Sequence, residues 1–69
     1  MAEFRQLIID ALEDRYNADI SEAEVTLKIY LEKPVAIGEH PQHVEEANIL
    51  IEKITTAEDK LRTLHGFKL

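Results

Sequence analysis

Cysteine is missing from this 69-residue chain. Its absence removes disulfides, thiolate metal sites and cysteine nucleophiles together, and it leaves the redox compartment open. Glycine occurs only at Gly38 and Gly66, so no glycine-rich loop can cradle a phosphate. Serine occurs only at Ser21, with no histidine near it in sequence and no glycine elbow around it, which argues against a nucleophilic triad. Apolar runs are short: none approaches the ~20 residues that a bilayer span requires, and Met1 to Arg5 is not a charged n-region followed by an apolar stretch. The expectation is a protein that stays soluble in the cytoplasm where it is made, with no membrane partner.

Basic residues are also scarce. Eight Lys and Arg stand against fourteen Asp and Glu, for a formal charge of −6. A phosphate backbone repels such a field unless the cations are gathered, and Arg5, Arg15, Lys28, Lys33, Lys53, Lys60, Arg62 and Lys68 are dispersed among acids. Nucleic acid is not an expected partner. A chain of this length forms a single domain with a small core, so it needs exceptional packing, a staple or a partner to be stable.

What is present is helical periodicity on either side of one interruption, Lys33 to Pro41, which carries both prolines and Gly38. On the C-terminal side, Ala47, Leu50, Ile54, Ala57, Leu61 and Leu64 are spaced 3, 4, 3, 4, 3, the seam of a helix packing on another helix. Val44 and Ile51 widen that seam. Pro41 suits a first turn, Glu45 and Glu46 favour the positive end of the macrodipole, and Lys60, Arg62 and His65 favour the negative end. Gly66 is suited to a left-handed C-cap, with Phe67 folding back on Leu61. The predicted helix runs from about 41 to 65.

On the N-terminal side, Phe4, Ile8, Leu12, Tyr16, Ile20, Ala23, Leu27 and Tyr30 or Leu31 recur every three or four residues, which fits one helix from about 2 to 32. Such a helix is about 45 Å long. Two alternatives stay open here. Val25, Leu27, Ile29 and Leu31 alternate with Thr26, Lys28 and Tyr30 as in a half-buried strand, and Ser21 with Glu24 matches a capping box that would start a new helix after a break at Asn17 to Ser21. A lone strand would leave its backbone unpaired, and Glu24, Lys28 and Glu32 fall at i, i+4 spacing, so the helix is preferred.

The fold class is therefore all-α, with residues 1–69 forming one antiparallel two-helix hairpin joined by a connection at 33–40. A single hairpin covers two apolar stripes poorly, and Val35, Ala36 and Ile37 in the connection add to the apolar surface, so assembly into a helical bundle as a homo-oligomer is expected. The residues assigned to partner binding are Phe4, Ile8, Leu12, Ile20, Ala23 and Leu27 on the first helix, with Ala47, Leu50, Ile54, Ala57, Leu61 and Leu64 on the second. The partner is a second copy, as a homodimer or higher, or another protein.

Two clusters invite a chemical reading. Glu39, His40, His43 and Glu46 could supply ligands to a divalent metal, but His40 precedes Pro41, where the chain is extended, and the preferred reading is a cap followed by a solvated turn. No Glu-x-x-His pair of the di-iron bundles occurs. Asp10, Glu13, Asp14, Asp19 and Glu22 could form an acidic face for a basic surface on another protein, against the plainer reading of a solvated face. No catalytic residue, metal or cofactor is assigned, and an enzyme is not expected.

The stretch Lys33-Pro34-Val35-Ala36-Ile37-Gly38-Glu39-His40-Pro41-Gln42-His43-Val44-Glu45-Glu46, followed by Ala57-Glu58-Asp59-Lys60-Leu61, resembles small helical proteins of tailed phages, especially T4-like marine and cyanobacterial ones. The role of those proteins is not established, so the resemblance carries no site residues. It implies a phage accessory protein in the cytoplasm of an infected bacterium, or else a minor virion component, and in that setting the acidic face could serve an inhibitor of a host enzyme.

Overall fold

A computed structural model of the chain describes residues 2–32 and 43–68. Helix α1 spans Ala2–Glu32, 31 residues without glycine or proline, so nothing in it removes a ladder hydrogen bond. Helix α2 spans His43–His65, 23 residues with Glu45 and Glu46 in its first turn and Arg62 and His65 in its last, charges that complement the macrodipole at each end. Residues 25–31 are helical, and α1 runs unbroken through 17–21, with Ser21 exposed on its surface rather than capping a new helix. The expectations placed on Pro41 and on the connection at 33–40 lie outside the described residues.

The helices pack on each other as an antiparallel hairpin. Tyr30, near the end of α1, meets His43 at the start of α2 edge-on, with ring centroids 6.2 Å apart. At the other end the Arg5 guanidinium donates to the Phe67 carbonyl. Stepping back from Tyr30 one heptad at a time brings Ala23 level with Leu50, Tyr16 with Ala57 and Ile9 with Leu64, so a large side chain faces a small one in the two middle layers. Ile9, Ala23, Leu50, Ala57 and Leu64 form the buried core. Leu12, Tyr16, Ile20, Leu27 and Tyr30 from α1, and Ala47, Ile54 and Leu61 from α2, flank it half-buried.

The predicted stripe on α1 holds from Leu12 onward and fails before it. Phe4 is 64% exposed and Ile8 47%, whereas Ile9, which that stripe omitted, is 5% exposed. The cause is geometric. A row of residues four apart winds about 40° around the axis at each step, so three steps back from Tyr16 carry Phe4 about 120° off the seam. Only alternation of three and four stays on it.

The end of α2 also differs from expectation. Gly66 does not take the left-handed conformation. Instead the Gly66, Phe67 and Lys68 amides donate to the Thr63, Leu64 and His65 carbonyls at 3.1, 2.9 and 3.2 Å. These i→i−3 bonds tighten the last turn and satisfy three carbonyls that the α-helix leaves open. Phe67 lines the same interhelical groove as Ile8 and Leu64.

Candidate functional site

The residues assigned to partner binding divide into two groups in the structure. All six on α2 face α1 within the chain: Leu50, Ala57 and Leu64 are buried, and Ala47, Ile54 and Leu61 are half-buried. From α1, Leu12, Ile20, Ala23 and Leu27 join them, while Phe4 and Ile8 stand outside. The hairpin seam thus absorbs ten of the twelve positions, and a separate surface is left for a partner.

That surface is the outer face of α1. Leu7 and Val25 are 65% and 61% exposed, and the step of 18 positions from one to the other is five full turns, so the two side chains leave the helix in the same direction. Phe4, Ala11, Ala18 and Ile29 share that side, roughly opposite the Ile9–Tyr16–Ala23 row. A soluble helix usually carries one apolar stripe; α1 carries two, with its apolar residues spread around the axis. At the connection end, Leu31, Val44 and Ile51 add further exposed apolar groups.

Polar contacts pin the hairpin rather than build a pocket of chemistry. Glu13 sits at a seam position where the heptad calls for an apolar residue, and its carboxylate accepts from the Lys68 ammonium at the end of the chain. Lys60 places its ammonium 5.5 Å from the centroid of the Tyr16 ring, a cation–π contact across the helices. Arg62 and Asp59, 2.7 Å apart, form an exposed pair within α2. The acidic run of α1 does not gather on one face. Asp10 and Asp19 are nine residues apart, about 180° around the helix; Asp10 accepts from Gln6 at 2.8 Å, Asp19 and Glu22 line an interhelical groove, and Glu13 is held by Lys68.

No family model, curated protein or solved structure matches the chain. Among the described residues no group of three or more His, Asp or Glu side chains is placed to hold a metal ion, and no helix is long and apolar enough to cross a membrane. Of the candidate metal cluster, His43 and Glu46 are half-buried at the start of α2, with His43 against the Tyr30 ring, while Glu39 and His40 lie outside the described residues.

The outer stripe of α1 is the feature that sequence reasoning missed. Its signal was present as Phe4, Ala11, Ala18 and Val25, a strict seven-residue repeat. The repeat is weak because two of its members are alanine, and because the inner stripe competes for the same helix.

Proposed function

We propose that the chain is a helical protein–protein interaction module with no catalytic role, whose working surface is the outer face of α1. The observation that carries this reading is the exposure of Phe4, Leu7, Val25 and Ile29 on one side of a helix whose other side is already packed. Monomeric soluble proteins rarely expose large contiguous apolar patches, and an apolar face left open on a soluble helix is a common mark of a surface that meets another protein. The small core points the same way, since no side chain among the described residues is completely enclosed. The phage resemblance sets the context of this proposal: an accessory protein acting in the cytoplasm of an infected cell.

The alternative, an inhibitor that docks an acidic face on a host enzyme, finds less support. Its acids point to opposite sides of α1, and one of them is engaged by Lys68. The test is retention on an immobilised chain. A partner protein is expected to be retained by the wild type and lost with Leu7→Glu plus Val25→Glu. A wild-type chain that retains none contradicts the proposal.

A further inference from the structure

A hairpin of two helices has two broad sides, and the contacts of this one assign residues to each. Three positions past a core residue the helix has turned about 60° one way from the seam, and there Leu12, Asp19 and Thr26 of α1 line the interhelical grooves with Lys53 and Lys60 of α2. Four positions past a core residue it has turned about 40° the other way, and there Glu13 of α1 accepts from Lys68 beyond α2. This second side is apolar toward the connection end. Ile20 and Leu27 of α1 lie on it with Ala47, Ile54 and Leu61 of α2, all half-buried. One position past the core row, about 100° round, Leu31, Val44 and Ile51 stand beside them at 69%, 83% and 50% exposure. The apolar stretch runs about 26 Å from Leu61 to Val44 and crosses both helices, whereas the outer face belongs to α1 alone.

We propose that a second copy of this chain covers this broad side, about a two-fold axis parallel to the helices, so that two hairpins form a four-helix bundle and each α1 gains the α2 of the second copy as a neighbour. The order of burial points to it. Along the α2 seam α1 buries alternate members, Leu50, Ala57 and Leu64, and leaves Ala47, Ile54 and Leu61 half open. A helix with one neighbour covers one row, and a helix in a four-helix bundle covers both.

The axis follows from where the groups lie. Rotation about it keeps each residue at its own level, so the apolar end meets the apolar end; an axis across the middle of the hairpin would set that end on Asp10, Glu13 and His65. With α1 of one copy over α2 of the second, Leu31 meets Val44, Leu27 meets Ala47 and Ile20 meets Ile54. Beyond them the Asn17 amide meets the Glu58 carboxylate, and Asp10 meets His65, an acid against a base. Each pair occurs twice and sits within two residues of level, about 3 Å, taking Ala23 as level with Leu50. Two pairs are unlike: Glu24 meets Ile51 at the solvent rim, and Glu13 meets Leu61 while keeping the Lys68 ammonium of its own chain. One sequence sets both halves of a two-fold interface, so the remaining matches are a constraint that the chain itself meets. The outer α1 faces take no part, and the pair carries them on opposite sides, free for another protein.

The lack of cysteine makes a direct test available. Asn17→Cys and Glu58→Cys chains are mixed and oxidised. The mixture is expected to give a disulfide dimer holding one chain of each kind, because neighbouring helices lie about 8–10 Å apart and bring facing Cα atoms within bonding range. Either chain alone is expected to give none, since like positions fall on diagonal helices about 14 Å apart. A disulfide in either chain alone, or none in the mixture, overturns the arrangement. Ile51→Lys, outside the intrachain core, is expected to halve the mass seen by light scattering while far-UV circular dichroism stays helical. A helical Ile51→Lys chain that remains dimeric overturns the surface; should that variant lose helicity, Val44→Lys is read by the same two outcomes. Leu7→Glu plus Val25→Glu is expected to keep the dimer mass, and its dissociation into monomers would move the pairing to the outer face and overturn the proposal. A wild type that is monomeric at every concentration yet retains a foreign protein overturns the pairing alone and leaves the interaction-module reading standing.

Discussion

Neighbouring residues on α1 divide the two surfaces of the molecule. Ile9 is in the core and Ile8 is not, so the same truncation has different consequences. Ile9→Ala is expected to lower the unfolding free energy by about 2 kcal/mol, the usual range for a buried aliphatic side chain. In dilute solution, Ile8→Ala is expected to stay within about 0.5 kcal/mol of the wild type. Urea titrations at low protein concentration check both, and equal losses would mean that the seam is misplaced by one residue. Glu13 and Lys68 form a partly exposed pair, with side chains 36% and 32% exposed. A double-mutant cycle on them is expected to give a coupling of about 0.5 kcal/mol that fades in high salt. A coupling of several kcal/mol would mean that the pair is buried in solution. The α2 seam was legible to the residue because a 3–4 alternation of apolar side chains has one geometric solution. The start of α1 was not, because the i, i+4 row of Phe4, Ile8 and Leu12 winds from the outer face across the rim of the interhelical groove to the seam, and Ile9 lies off that row.

At the scale of the element, α1 had three readings, and its two stripes explain the ambiguity. Successive residues on a helix turn 100°, so alternate residues turn 200° and leave on nearly opposite sides. Val25 and Ile29 face outward and Leu27 faces α2, and reading the two stripes together produced the alternation of a strand. The helix also continues through Ser21, which places that residue in a helix interior. Ser21→Ala is therefore expected to stabilise by a few tenths of a kcal/mol through helix propensity. An N-cap serine would instead lose about 1 kcal/mol on the same change. Thermal unfolding distinguishes the two by sign: a lowered midpoint would restore the capping box and break α1 in two. The C-cap of α2 was misread for a different reason. Gly66 permits a left-handed turn without requiring one, and consecutive i→i−3 bonds satisfy the open carbonyls equally well.

At the scale of the whole molecule, the hairpin is 53 Å long but only 16 by 13 Å in cross-section, two helices thick one way and one helix thick the other. A layer that thin encloses no side chain completely, and among the described residues the core is five residues, two of them alanine. The all-α class and the hairpin were readable from periodicity and the single interruption. The partner surface was not, because periodicity shows which residues share a face and not which of two faces the fold itself covers. The account's central claim is that this fold is completed by a partner and that the partner is a second copy. Light scattering with circular dichroism over a dilution series tests it most directly. The account predicts twice the 7.9 kDa of one chain at high concentration, with a melting point that falls on dilution as the pair separates. A mass of one chain throughout, with a melting point indifferent to concentration, would contradict it.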